Sequence, residues 1–423
     1  MKGFLIAAPS SGSGKTTIAR GLMALFVEKG LKVQPFKCGP DYIDTKFHSA
    51  VCGRPSVNLD TFMATPSHVR QLLRHYGKDA DVCIVEGMMG LYDGYNRDSG
   101  SSGEIAQVLG IPVVLVVDAR SAAYSMAPLL SGFMNFRPRV NICGVIFNKV
   151  GSERHRRMLQ QVCDDLGVTC FGCIPKDASL EQGSRYLGLD FSEITGNSQL
   201  VRLLEEHLDI DSLMQLSFDA DYQKESESRE QPCHNLGKVL VARSPESFSF
   251  LYQETIDRFA DVSFFNPETD VPQLEDVSLL YLPGGYPEKH LEALVSNKAA
   301  REAICRYAEN GGRVVAECGG MMYLCDKIVT DDGEFPMCGV LPYAITARKA
   351  DRKLSLGYRR FVLDGREYFG HEFHYTQFLG ETPKSVTQVY NALGEPVDTP
   401  VFVHENVLAS YTHLYAAYGL NDK

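Results

Sequence analysis

Apolar positions in this chain come in short solid blocks separated by longer stretches with a helical repeat. Phe4-Leu5-Ile6-Ala7-Ala8 is such a block, and a brief continuous apolar run bounded by turn residues predicts a strand buried on both faces. Ile18 to Val27 then places Ile18, Leu22, Leu25 and Phe26 on one side, predicting a helix. Further blocks lie near Lys32 to Pro35, Asp81 to Val85, Ile111 to Val117 and Ile142 to Phe147, and each is followed by polar residues. This alternation predicts an α/β fold: a doubly wound, mostly parallel sheet with right-handed crossovers and ligands beyond the carboxyl ends of its strands. From 217 to 236 the pattern stops. Asp219 to Glu230 is polar and charged without apolar periodicity, and it predicts a linker. A second α/β pattern follows, with blocks at Lys238 to Ala242, Ser278 to Leu282 and Gly312 to Ala316, then shorter β-like runs. The expected organisation is therefore a domain over 1–216, a linker over 217–236 and a second α/β domain over 237–423.

The turn after the first block is Pro9-Ser10-Ser11-Gly12-Ser13-Gly14-Lys15-Thr16-Thr17. A Gly-rich turn between strand and helix presents backbone N–H groups and a helix N-terminus to an anion, which makes it a phosphate loop. Gly12 and Gly14 permit the turn, Lys15 can reach the β- and γ-phosphates, and the Thr16 hydroxyl can sit on Mg²⁺. Gly12, Ser13, Gly14, Lys15, Thr16 and Thr17 are thus the expected ATP contacts, although Pro9 stands where such loops usually begin with glycine. Mg²⁺ bound with ATP needs carboxylates nearby. Glu86 ends an apolar block as a Walker-B acid does, and Asp41 is a second candidate beside Thr16. Asp44 and Asp93 are further acids expected on loops at the same edge, and Asn148-Lys149 after a strand could read the adenine edge.

Cys318 follows the block ending at Ala316-Glu317 and precedes Gly319-Gly320 and an expected helix. A strand–nucleophile–helix turn presents its side chain sharply to backbone N–H groups, and the glycines suit it to a thiol nucleophile. Gly285, after another strand, and Gly319 are the expected oxyanion donors. The partner base is expected at His413, with His371 and His374 as alternatives.

Composition changes the picture little. The chain has 423 residues, 44% hydrophobic and 22% charged, which suits two or three globular domains. A net charge of −11 argues against a general nucleic-acid or acidic-membrane binder. No apolar run has the length of a membrane span and no secretory leader pattern opens the sequence, so a cytoplasmic protein is expected. The twelve cysteines then read as thiols, with Cys83 and Cys143 expected in the core and the lone Cys170/Cys173 CxxC expected to be structural.

Taken together, Ser11 to Thr17, Gln34-Pro35-Phe36-Lys37-Cys38-Gly39-Pro40-Asp41-Tyr42-Ile43-Asp44, Asn58-Leu59-Asp60, Glu86 to Gly94, Gly284-Gly285-Tyr286-Pro287-Glu288, Glu317-Cys318-Gly319-Gly320 and the His413 segment resemble the cobyrinate a,c-diamide synthase family, glutamine-dependent enzymes of corrin-ring biosynthesis. The resemblance spans nearly the whole chain. The first domain is also similar to dethiobiotin synthetase, and the second to class I glutamine amidotransferases. The family implies an ATP- and glutamine-dependent ligase that amidates the a and c carboxylates of cobyrinate through acyl phosphates, with Mg²⁺ and small-molecule substrates and with a homodimer as a possible assembly. It implies that Lys37, Asp44, Asp93 and Arg185 serve the substrate or acyl phosphate, with Lys46 a further cation for a polycarboxylate. Two positions depart from it. Tyr415 stands where more distant class I amidotransferases carry a glutamate two residues after the histidine, so a Cys–His pair is expected. Gly183-Ser184-Arg185-Tyr186 replaces a family Pro-Glu-Arg-His, keeping only Arg185. The rival readings are the same chemistry on hydrogenobyrinate or nickel-sirohydrochlorin, and a P-loop switch ATPase acting on a protein partner. A switch ATPase often carries a lysine where this chain has Ser10, and it has no use for Cys318 and its glycines.

Overall fold

The computed structural model describes residues 1–176, 198–221 and 234–415. They divide into two compact units, Met1–Glu227 and Ser228–Lys423. In the first unit, seven strands form one sheet: β1 (Gly3–Ala7), β2 (Val33–Cys38), β3 (Val57–Leu59), β4 (Val82–Glu86), β5 (Val113–Asp118), β6 (Ile142–Val150) and β7 (Thr169–Pro175). Their order is β3-β2-β4-β1-β5-β6-β7, and every neighbouring pair is parallel. Parallel strands need helices on both faces, which is why β1 and β4 carry no polar alternation and are buried at every position. One face packs Leu5, Val85, Leu115 and Phe147, and the other packs Phe4, Ile84, Val116 and Ile146. The second face is closed by α1 (Lys15–Glu28), whose Ile18, Leu22, Leu25 and Phe26 point inward as their spacing predicts.

The strand order reverses beside β1, with β4 on one side and β5 on the other. The carboxyl ends of β1 and β4 meet there, and this is where open parallel sheets bind ligands.

Three expectations are corrected. Asp44 is not on a loop. It lies in the first turn of α2 (Ile43–Cys52) and is 2% exposed, because Asp41 Oδ1 accepts the backbone N–H groups of Ile43 and Asp44, both at 2.9 Å, and starts a helix there. Asn148 and Lys149 do not follow β6 but lie in it. Cys83 is buried as expected, whereas Cys143 is only half-buried. The register of β7 on β6 slips at Phe171, so Cys170 and Cys173 face the same core as Cys163 while Phe171 turns to the other.

The second unit has a six-stranded sheet. β8 (His234–Ala242), β9 (Phe259–Phe265), β10 (Val277–Leu282) and β11 (Val314–Glu317) are joined by the strands Val401–His404 and Val407–Ser410. All pairs are parallel except the last two strands. The β-like runs of the tail form two smaller sheets, one of four strands and one of five. The five-stranded sheet aligns His371 directly opposite His413.

Candidate functional site

The first unit gathers its chemistry where β1, β2 and β4 end. The turn after β1 holds Gly12 at φ +81° and Gly14 at φ +91°, backbone that glycine adopts without a Cβ penalty. A Cβ on Gly14 would also lie 2.2 Å from the Asn148 side-chain nitrogen. That nitrogen donates to Ser13 O at 2.9 Å, and the Asn148 Oδ1 accepts Lys149 N at 2.9 Å. Asn148 thus braces the phosphate loop, with both halves of its amide engaged. Lys149 adds a second tie, to Gly12 O at 3.3 Å and to Asp118 at 3.1 Å.

Below the loop, four ionisable or polar side chains converge on one carboxylate. Glu86 is fully buried. Its Oε1 accepts from the Thr16 hydroxyl and lies 3.2 Å from Lys15 Nζ and 3.5 Å from Lys37 Nζ, while its Oε2 lies 2.8 Å from His48 Nε2. Lys15 and Lys37 both donate to Gly87 O. Lys37 also pairs with Asp44 at 3.2 Å and stands 3.9 Å from Asp41. Burial opposes the charge on Glu86, but Lys37 and Lys15, with His48, hold its carboxyl well below the usual range. Burial likewise opposes the charge on Lys37, and Glu86, Asp44 and Asp41 outweigh it, so Lys37 stays protonated. Burial, then the neighbouring Lys37, pull Lys15 down.

The structure therefore brings Lys15, Thr16, Lys37, Asp44 and Glu86 together, with Asp41 at the margin capping α2. Thr17 follows in the first turn of α1. Asp93 is set apart: it accepts Gly90 N at 3.0 Å and closes its own turn. Arg185 lies outside the described residues. His48 is a member that sequence reasoning missed. Its signal was a histidine four residues after Asp44, on the helix face that carries Asp44. Among the described residues no three His, Cys, Asp or Glu side chains are placed to share a metal ion. Magnesium in a phosphate loop needs less, because phosphate and water supply most of its six oxygens. The contact between the Thr16 hydroxyl and Glu86 Oε1 offers two hard oxygen ligands side by side, which fits that ion.

The second site lies at the end of β11. Cys318 has φ +45° and ψ −108°, a strained conformation for a residue with a side chain. The strain is held from both sides, since Cys318 N donates to Ser410 O at 2.8 Å and Met322 N donates to Cys318 O at 2.9 Å. The result is the sharp strand-to-helix turn expected for a presented nucleophile, leading into Gly319–Leu324. The Gly284-Gly285 loop wedges against both partners. A Cβ on Gly284 would lie 2.0 Å from His413 Cε1, and a Cβ on Gly319 would lie 2.9 Å from the Gly285 nitrogen. One loop thus touches the His413 ring and the residue beside Cys318, and it brings the two oxyanion candidates against each other.

The alternative histidines are placed differently. His374 directs Nε2 at Glu372 (2.7 Å) and Nδ1 at Thr376 O (2.8 Å), and its ring stacks on Tyr411 with centroids 3.7 Å apart. His371 packs edge-on against Tyr358. Burial, then His371 and His374, push His413 down to about 3, against the pull of Glu372, so its ring is neutral. Burial, then Glu288, push the Cys318 thiol up, with Gly319 N–H acting the other way. Cys318 is therefore a thiol and His413 a neutral imidazole at neutral pH.

Glu317 was not expected to matter. Its Oε2 accepts from Tyr281 OH at 2.9 Å and its Oε1 from Leu414 N at 3.2 Å, which ties the residue before Cys318 to the residue after His413. Tyr415, at the position where distant relatives carry an acid, donates its hydroxyl to buried Glu254.

Comparison with known proteins agrees with both halves. Residues 4–187 match the CobQ/CobB/MinD/ParA nucleotide binding domain, and residues 241–419 match the CobB/CobQ-like glutamine amidotransferase domain. A cobyrinate a,c-diamide synthase of Caldanaerobacter subterraneus subsp. tengcongensis is 37% identical over 97% of this chain and 94% of its own length. A hydrogenobyrinate a,c-diamide synthase of Brucella abortus is 38% identical over 98% of each chain. A cobyrinate a,c-diamide synthase of Archaeoglobus fulgidus is 34% identical over 97% of this chain and 93% of its own. With a nucleotide-binding unit, an amidotransferase unit and relatives that align from end to end, the chain belongs to the family of cobyrinate and hydrogenobyrinate a,c-diamide synthases.

Proposed function

We propose that the protein amidates the a and c carboxylates of cobyrinate, using ATP to activate each carboxylate and glutamine as the nitrogen source. The observation that carries this reading is identity above one third with synthases of this name along the full length of both chains. Hydrogenobyrinate is the second reading, because relatives acting on it by name align equally well. No membrane partner is proposed: among the described residues no helix is long and apolar enough to cross a bilayer.

At the glutamine site, Cys318 Sγ attacks the γ-amide carbon while His413 takes the thiol proton and passes it to the leaving nitrogen. A neutral imidazole and a neutral thiol suit that transfer, because the proton moves only as the C–S bond forms. Gly285 and Gly319 N–H groups receive the developing oxyanion. Ammonia leaves, and water then cleaves the glutamyl thioester to glutamate and free thiol.

At the phosphate site, the acceptor carboxylate oxygen attacks the γ-phosphorus of ATP and ADP departs. Ammonia attacks the acyl carbon and inorganic phosphate leaves, giving the amide. Lys15 and the loop N–H groups hold the phosphates, and Lys37, kept charged by Glu86 and Asp44, meets the anionic acceptor or its acyl phosphate. Mg²⁺ held by Thr16 and Glu86 would neutralise phosphate charge. Arg185 and Asp93 are further proposed contacts for the acceptor, and a homodimer and a cytoplasmic location are proposed on the same family grounds. Incubation with ATP, Mg²⁺ and glutamine, with cobyrinate, hydrogenobyrinate and nickel-sirohydrochlorin in parallel, tests the reading. Two successive amidations of cobyrinate by mass spectrometry support it, and amidation of only another acceptor replaces it.

A further inference from the structure

Glu288 has no role in the chemistry above, yet it stands beside the nucleophile. It belongs to the short turn Pro287–Lys289 that follows the Gly284-Gly285 loop. That turn packs directly on the Cys318 elbow: a Cβ on Gly319 would lie 2.8 Å from Pro287 Cδ. The Glu288 carboxylate is near enough to act electrostatically on both Cys318 and the Tyr411 hydroxyl. Glu288 itself is half-buried. Every other buried acid of this region has polar partners. Glu317 has Tyr281 and Leu414, Glu372 has His374, Arg359, Ser355 and Thr399, and Glu254 has Tyr415 and Arg258. Among the described residues Glu288 has no side-chain partner. Its own backbone N–H bonds to it, and Lys289, Arg352 and His290 act on it only from a distance. Burial pushes its carboxyl up to about 7, so an arriving cation would be bound with much of its interaction unshared.

A partnerless carboxylate on the turn that packs against the nucleophile's elbow calls for a small cation delivered with the substrate. Glutamine carries one. We propose that Glu288 anchors the α-ammonium of the glutamine donor and so decides that Cys318 reacts with a γ-amide bearing an α-amino group. This rests on Cys318 being the nucleophile and glutamine the donor.

The test compares glutamine with glutaramate, the same amide without the amino group, as glutaminase substrates of the full chain. Glu288→Gln should raise the KM for glutamine by about 100-fold, as expected for losing one partner of a desolvated charge pair. It should leave kcat and the kcat/KM for glutaramate unchanged. Glu288→Asp should recover part of the loss on glutamine, and the ammonia-dependent amidation of each variant reports an intact fold. An equal loss on both amides, or a loss in kcat alone, overturns the proposal, since the residue would then serve the turn or the reacting atoms. Cys318→Ser is run beside it. Unchanged glutaminase activity in that variant would remove the nucleophile itself, a failure distinct from any result at Glu288.

Discussion

The two sites solve opposite problems with buried side chains. At the end of β4 the protein buries charge and keeps it: Lys37 and Lys15 hold the Glu86 carboxylate ionised, and Glu86, Asp44 and Asp41 hold Lys37 protonated, in a place that burial alone would neutralise. At the end of β11 it buries the same kinds of group and neutralises them, with Cys318 held as a thiol, His413 as a neutral ring and Glu317 as an acid pushed up to about 8. The difference follows from the partners. Two ammonium groups face Glu86, whereas Glu317 meets only a phenol and a backbone N–H. It also matches the chemistry. Phosphoryl transfer moves a highly charged group and needs fixed countercharge, while amide cleavage by a thiol needs a proton that can move between neutral partners.

If this contrast is right, breaking the charged cluster should be the most severe lesion. Lys15→Ala should lower amide formation by about 1,000-fold or more with either glutamine or free ammonia as donor, because the phosphates lose their cation. Glutamine hydrolysis measured alone should persist in the same variant. Next comes His413→Ala, expected to cut glutaminase activity by about 100- to 10,000-fold while sparing the ammonia reaction. His371→Ala and His374→Ala are the comparison, and loss in either without loss in His413→Ala would reassign the base.

Glu86→Gln sharpens the contrast within the first site. The amide keeps the shape but removes the charge, so the Mg²⁺ concentration giving half-maximal rate should rise by about 10- to 100-fold. An unchanged Mg²⁺ dependence would take Glu86 out of the metal site. The smallest effect is on stability. The Glu317 carboxyl sits at about 8 in the folded chain and about 4.3 when unfolded, so its contribution is fully favourable below about 4.3 and is lost as pH rises through about 8. Glu317→Gln does not titrate. Its melting temperature relative to the parent should therefore climb across that window, by roughly 2–4 °C for each kcal/mol gained. A constant difference would show that Glu317 is not held neutral.

Much of this was legible in the sequence because solid apolar blocks followed by polar punctuation mark parallel strands and the loops at their ends. Lys15, Thr16, Glu86 and Cys318 each stand at such a junction. Legibility failed where a side chain reshaped the local backbone or reached across the sheet. Periodicity leaves Asp44 on a loop because the start of α2 depends on Asp41 accepting from the Ile43 and Asp44 N–H groups, a contact that periodicity does not record. His48 and Glu317 act through partners 38 and 97 residues away. The apolar block stops at Phe147 and so suggests a base reader at Asn148, but β6 runs three residues further, to Val150, and only the fold shows Asn148 gripping Ser13.

The central claim is that the charged site and the neutral site carry separate half-reactions. Cys318→Ser tests it most directly, with amide formation measured once with glutamine and once with high free ammonia. The expected result is a loss of about 1,000-fold or more with glutamine and a rate within about twofold of the parent with ammonia, since the hydroxyl is a poor nucleophile and the phosphate site is untouched. Loss of both reactions in a protein that is folded by circular dichroism, or loss of neither, would contradict it.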